Sequence, residues 1–273
     1  MKLSEIYEIA DKIAPKHLSD EYCKAFGAYD NSGLLVEAGE EIEGILFSLD
    51  LTNAAIYEAI EKGCNFIITH HPMIYGKIDH VCVSDEKLLG AKLVKCLKKG
   101  ISVLSMHLNL DVAEDGIDES LMEGILLASG KTTGVGMRSN TEIMHPIEAS
   151  GYGRVYDIQP TTLEKLEENV KKVFSTDRVL IYGEKDEKIT RAASFCGAGG
   201  DEEGVLFAKK MGADVILSAD FKHHVVTFAV ESGLSVIALT HYASENYGFK
   251  KYYEKIRRQV EIPCVFHTDE ILL

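Results

Sequence analysis

The sequence predicts an α/β fold, and three observations predict it. Apolar, β-branched runs of a strand's length alternate with longer stretches of helical period along most of the 273 residues. The composition, 46% hydrophobic and 26% charged, is that of an ordinary globular protein able to bury one large core or two modest ones. The same order of elements also occurs twice. Strand and helix in alternation build sheets with parallel strands and helices on their faces.

The elements follow in chain order. MKLSEIYEIADKIAP has the amphipathic period of a helix, over 3–14, rather than the profile of a signal peptide. Residues 21–28 read as a strand, 44–50 (GILFSLD) as a second, 52–62 as a helix and 65–69 as a strand. A helix over 85–99, a strand over 101–105 (ISVLS) and a helix over 116–128 complete the first half. The stretch after 128 shows no period and reads as irregular. The pattern then returns with helix 161–174, strands 178–182 and 190–196, helix 201–211, strand 213–218 (ADVILS), helix 222–232, strand 234–239 and helix 246–259.

A duplication shows in the register of these pieces. Residues 63–69 (GCNFIIT) align with 212–218 (GADVILS), and 101–105 (ISVLS) with 234–238 (LSVIA). The repeats are therefore read as residues 1–130 and 131–273. Parallel strands that each feed a helix bring their carboxyl ends to one edge of the sheet, where open α/β sheets hold ligands.

Charge and composition exclude several classes of function. A net charge of -14 repels a nucleic-acid backbone, and no apolar run is long enough to span a membrane, so a cytoplasmic protein without nucleic-acid partners is expected. Six cysteines (Cys23, Cys64, Cys82, Cys96, Cys196, Cys264) show no CxxC pair and read as reduced thiols rather than a zinc site. Neither a GxS-type nucleophile elbow nor a P-loop is present.

The strand ends carry the chemistry. Strand 65–69 runs into His70 and His71, strand 101–105 into His107 with Asp111 four residues on, and strand 234–239 into His241 with Glu245 four residues on. On a helix, that spacing puts both side chains on one face. A single histidine at a strand end is more often a capping or surface residue, but the coincidence at three ends favours a site. Histidine and carboxylate without clustered cysteine suit a divalent Zn, Mn, Fe, Co or Ni ion. Adjacent imidazoles diverge, so His70 and His71 are expected to hold one ion each of a two-metal centre, with Glu245 as the bridge. Asp220 reads either as a helix N-cap or as a group orienting a ligand, and His224 as a neighbour. His17, His80, His145 and His267 read as surface or structural. The glycine run 196–200 fits a phosphate cradle or a tight turn, with Lys77, Arg154 and Lys222 as candidate counter-charges.

Several motifs together resemble one family. They are Asp30-Asn31-Ser32-Gly33-Leu34, Thr69-His70-His71-Pro72, His107-Leu108-Asn109-Leu110-Asp111, Gly151-Tyr152-Gly153-Arg154, Cys196-Gly197-Ala198-Gly199-Gly200 and His241-Tyr242-Ala243-Ser244-Glu245. In this order they are similar to those of the Nif-three-like proteins, the GTP cyclohydrolase I type 2 homologues. The resemblance implies duplicated, intertwined α-β-(β-α)3 repeats with mixed sheets, a homohexamer, and two divalent metal ions on His70, His71, Asp111, His241 and Glu245. His107 would then be a neighbour of the metals. Thr240 and Ala219 stand where the family usually has glycine, which affects pocket width rather than ligand chemistry. The activity implied is hydrolysis of a small molecule such as a nucleotide, with His107 or His224 moving protons. A non-catalytic metal-handling scaffold that recruits protein partners is the alternative.

Overall fold

The computed structural model describes residues 1–78, 80–85, 88–131 and 140–273. Among them are ten helices and two mixed sheets, so the fold is α/β as the alternation predicts. The chain divides into two compact units, Met1–Ala113 with Phe249–Thr268, and Glu114–Gly248 with Asp269–Leu273.

The first unit opens with α1 (Leu3–Ile13) and α2 (Lys16–Phe26). α2 corrects the strand expected at 21–28. Leu18 and Tyr22, one turn apart, face inward, and Gly27 at φ 68° closes the helix in the left-handed conformation. The short run Tyr-Cys-Lys-Ala-Phe hides this period when it is taken alone. β1 (Gly33–Val36), which the apolar pattern did not mark, follows. Then come β2 (Ile45–Ser48), α3 (Asn53–Glu61), β3 (Phe66–Thr69), α4 (Leu89–Lys98), β4 (Ser102–Ser105) and the short α5 (Leu108–Val112). The sheet order is β1-β4-β3-β2-β11, where β11 is Cys264–Phe266 from near the end of the chain. β2, β3, β4 and β11 are parallel and β1 is antiparallel to β4. All residues of β2, β3 and β4 are buried, which is why these strands read as continuous apolar runs rather than as alternating ones.

The second unit contains α6 (Ile117–Ala128), β5 (Glu142–Ile147), β6 (Ser150–Thr162), α7 (Leu163–Val173), β7 (Leu180–Tyr182), β8 (Lys188–Ser194), α8 (Glu202–Lys210), β9 (Val215–Ser218), α9 (His223–Glu231) and β10 (Ser235–Ala238). Its sheet order is β5-β6-β8-β9-β10-β7, with β8, β9 and β10 parallel. The region expected to be irregular after 128 thus holds a hairpin, apart from residues 132–139, which lie outside the described set. Its two-residue turn places Glu148 at φ 47°, a position usually taken by glycine, so no hairpin signal stands in the sequence. Gly151, Gly153, Pro146 and Pro160 further break the alternation of β5 and β6.

Each unit carries the same succession. In the first, a strand antiparallel to the last is followed by β2-α3-β3-α4-β4; in the second, β7 stands in that role before β8-α8-β9-α9-β10. The aligned glycines explain the register. Gly63 at φ 69° and Gly212 at φ 72° end α3 and α8, and in each case the next residue donates its N–H to the carbonyl five residues back (Cys64 to Ala59, 2.8 Å; Ala213 to Ala208, 3.0 Å). This cap turns the chain directly into the following strand.

α10 (His241–Arg257) starts five residues earlier than the expected 246. Thr240 accounts for it: its Oγ1 accepts the N–H of Ala243 at 3.0 Å, capping the helix ahead of His241. All six cysteines are free. Among the described residues, no helix is long and apolar enough to cross a membrane.

Candidate metal centre

In the first unit, the ladder hydrogen bonds that hold β3 continue past its end and fix the backbone of both histidines. Met106 N donates to Thr69 O (2.8 Å), His71 N to Leu49 O (3.0 Å) and Ser105 Oγ to His70 O (2.8 Å). Thr69 Oγ1 closes a tight turn by donating to His71 O at 2.8 Å. His70 and His71 therefore leave the strand in a rigid frame, their rings 4.9 Å apart between centroids.

Every imidazole here is oriented through Nδ1. His70 Nδ1 lies 2.7 Å from Met106 O, a carbonyl that can only accept, so that nitrogen carries a hydrogen and Nε2 is the nitrogen left to face a ligand. His71 Nδ1 lies 2.8 Å from Asp50 Oδ1, and His107 Nδ1 2.7 Å from Asp30 Oδ1. One ligand atom from each of His70, His71 and His107 falls within 4.8 Å of the others. The buried Asp111, on α5, brings Oδ1 to 3.5 Å from His70 Nε2. The i,i+4 spacing of His107 and Asp111 is thus realised at the start of α5, although Asp111 approaches His70 and His107 turns to Asp30.

Asp30 is a buried hub. Burial pushes its pKa up, but hydrogen bonds from His107, Ser19 and Ser32 outweigh that and hold the carboxyl well below its usual range. It sits in the Asp-Asn-Ser-Gly-Leu motif, and Asp50 lies two residues past the end of β2, at the same sheet edge as the histidines; sequence reasoning gave neither a role. The signal for Asp50 was there, a carboxylate at a strand end.

In the second unit, His241 and Glu245 lie one turn apart on α10, with Nε2 and Oε1 at 3.1 Å, as their spacing predicts. His241 Nδ1 meets Asp220 Oδ2 at 2.6 Å. Asp220 is therefore the group that orients His241, and the N-cap of α9 is Lys222 instead. Asp220 holds φ 53°, an uncommon conformation for a residue other than glycine. Gly197, at φ 56°, leaves the space that Glu245 fills: a Cβ there would sit 2.3 Å from Glu245 Oε1 and 3.3 Å from His241 Nε2.

Other expectations are corrected. Arg154 is no phosphate counter-charge, because it is buried and paired with the buried Asp118, with further bonds to Ser150 Oγ (2.8 Å) and Gly151 O (3.0 Å). The glycine run 196–200 holds a tight turn at 197–198. Two of its amides are engaged within the protein, Cys196 N by Asp118 Oδ1 (3.1 Å) and Gly197 N by Ser244 Oγ (3.1 Å), and so are not free to hold a phosphate. His267, expected as a surface or structural residue, pairs with Glu58 on α3 at 2.6 Å. Lys77 and Lys222 are exposed. His224 lies exposed on α9 with Nε2 3.5 Å from Glu202, and belongs to none of the histidine and carboxylate groups just described.

The donor set fits a divalent cation. Imidazoles with Nε2 presented, each backed by an oxygen acceptor on the other nitrogen, and buried carboxylates alongside are the arrangement that borderline divalent ions take.

The family model Duf34/NIF3 (NGG1p interacting factor 3) matches residues 1–270. The chain belongs to the DUF34/NIF3 family. Two relatives in it, from Clostridium acetobutylicum and Clostridium perfringens, are both named GTP cyclohydrolase 1 type 2 homolog. They are 32% identical over 249 residues (90% of this chain, 85% of the relative) and 31% identical over 269 residues (97% and 95%). A Saccharomyces cerevisiae relative, 25% identical over 260 residues (89% and 86%), is named NGG1-interacting factor 3. Among solved structures, the NIF3-related protein of Bacillus cereus shares the fold at a TM-score of 0.78 and 21% identity, covering 100% of this chain and 99% of that one. Reduced HcgD from Methanocaldococcus jannaschii matches at a TM-score of 0.78 and 28% identity, with 97% of both chains covered.

Proposed function

We propose that this member of the DUF34/NIF3 family is a divalent-metal-dependent hydrolase acting on a nucleotide or a related small molecule, as the name GTP cyclohydrolase 1 type 2 homolog suggests for its relatives. Its ligands are His70, His71 and Asp111 in the first unit and His241 and Glu245 in the second, for two ions of Zn, Fe, Mn, Co or Ni. The observation that carries this reading is the gathering of three imidazoles within 4.8 Å, each with Nδ1 committed to an oxygen.

When bound, such ions supply Lewis acidity and make water a stronger acid near neutral pH. The remaining work belongs to the chain. Asp50 and Asp220 hold the ring planes of His71 and His241. Asp30 fixes the tautomer of His107, so a proton is taken up or released at His107 Nε2. That gives His107 rather than the exposed His224 the proton-transfer role.

The test pairs elemental analysis of the purified chain with a turnover assay. Two equivalents of metal in the wild type, and fewer in His70→Ala and Glu245→Ala, support the ligand set; unchanged stoichiometry in both variants rejects it. The metal-loaded chain is then incubated with a nucleotide panel and assayed for formate and phosphate. If every metal complement is inert, the second reading takes over, a metal-handling scaffold that recruits proteins. The name of the yeast relative, an interacting factor, favours that alternative.

A further inference from the structure

Two tyrosines beside the imidazole group are more than half exposed, Tyr29 at 56% and Tyr75 at 58%. Aromatic rings that large are normally buried or covered, because their apolar faces are costly to hydrate. These two are also held in place. Tyr75 Oη donates to Tyr29 O at 2.8 Å, and Asn31 Nδ2 donates to Ile74 O at 2.8 Å, so two hydrogen bonds tie the residues on either side of Asp30 to the segment after His71. The rings meet edge to face, with centroids 5.2 Å apart and planes at 76°. Tyr75 in turn stands at 86° to His107, at 6.2 Å between centroids.

Two planes at nearly a right angle form a corner. A flat ring that enters it can lie parallel to one tyrosine and present its edge to the other, and both are favoured aromatic geometries. Because the corner is already assembled, little further ordering is needed when a ligand arrives. We infer that Tyr29 and Tyr75 form a recognition corner for a planar heteroaromatic ring, and that they position such a ring against His107. This rests on the reading of the imidazole group as a reaction centre and narrows its substrate class to molecules of the nucleobase type. A substrate without a ring would leave the corner with nothing to recognise.

The experiment is isothermal titration calorimetry of the metal-loaded chain with GTP, ATP and inorganic tripolyphosphate. It compares the wild type with Tyr29→Ala, Tyr75→Ala and Tyr75→Phe. The wild type is expected to bind both nucleotides about tenfold more tightly than tripolyphosphate, since stacking of one base accounts for about that factor or more. Each alanine variant is expected to lose about that tenfold for the nucleotides while its tripolyphosphate affinity stays level, and Tyr75→Phe, which keeps the ring, to bind nearly as the wild type. A loss of folding or of metal would lower tripolyphosphate binding as well, so the selective loss is not the signature of a merely structural role. Equal affinity for nucleotide and tripolyphosphate in the wild type, or nucleotide binding unchanged in both alanine variants, overturns the proposal. Selective loss of nucleotide binding without turnover under any metal leaves the corner standing and sinks the hydrolase reading alone.

Discussion

His107 Nδ1 and Asp30 Oδ1 lie 2.7 Å apart, and the same carboxylate accepts from Ser19 and Ser32. A group whose pKa is depressed on folding stabilises the native state above its unfolded value and loses that contribution as pH falls through the native one. Asp30→Asn is therefore expected to cost a few kcal/mol at pH 7, on the order of one strongly held carboxylate. The gap from wild type should shrink as pH drops below about 4. Urea unfolding of both proteins between neutral and acid pH measures it; a gap that is constant across the range would contradict the depressed pKa.

Asp220 combines a left-handed backbone with a hydrogen bond to His241. Asp220→Gly keeps the backbone comfortable and removes only the carboxylate. Metal affinity is expected to fall by about 10- to 100-fold, the usual effect of losing a group that orients a ligand. The thermal midpoint of the metal-free protein should barely move. Competition against a chromophoric chelator reads the first and calorimetry the second.

Gly197 has no room for a methyl group. In Gly197→Ala the new Cβ meets Glu245 Oε1 at 2.3 Å, and φ 56° is strained for alanine. The variant is expected to lose about 1–3 kcal/mol of stability. Because the clash falls on Glu245, bound metal measured by elemental analysis should fall as well, whereas a Gly63→Ala control, whose Cβ meets nothing within 4 Å, should change stability alone.

Arg154 and Asp118 are both buried and paired. Removing one partner strands the other charge, so Arg154→Met and Asp118→Ala are each expected to cost about 3–5 kcal/mol. Chemical denaturation tests this. Nucleotide affinity per folded molecule should be unchanged, which separates the pair's structural role from the anion-binding role its sequence motif suggested.

Much of this architecture was readable from the chain, and for physical reasons. Buried parallel strands such as Phe66–Thr69 and Val215–Ser218 are apolar throughout, and glycine caps such as Gly63 and Gly212 mark where each helix hands over to its strand. His241 and Glu245 were legible because helical spacing alone sets their proximity. Elements defined by partners distant in sequence were not. β1 has only four residues, β5 is partly exposed with no alternation of buried and exposed positions, and β11 has only three residues, so none carries a period long enough to detect. The same holds for Asp30, whose importance comes from His107, 77 positions away.

The parallel pairing of Cys264–Phe266 with Ile45–Phe47 has a consequence for biogenesis. Until residue 264 has cleared the ribosome exit tunnel, one flank of β2 stays an open template for other strands, an aggregation hazard that emerging chains need to manage. Truncations that spare every metal-binding candidate yet stop short of this strand would leave that flank permanently bare.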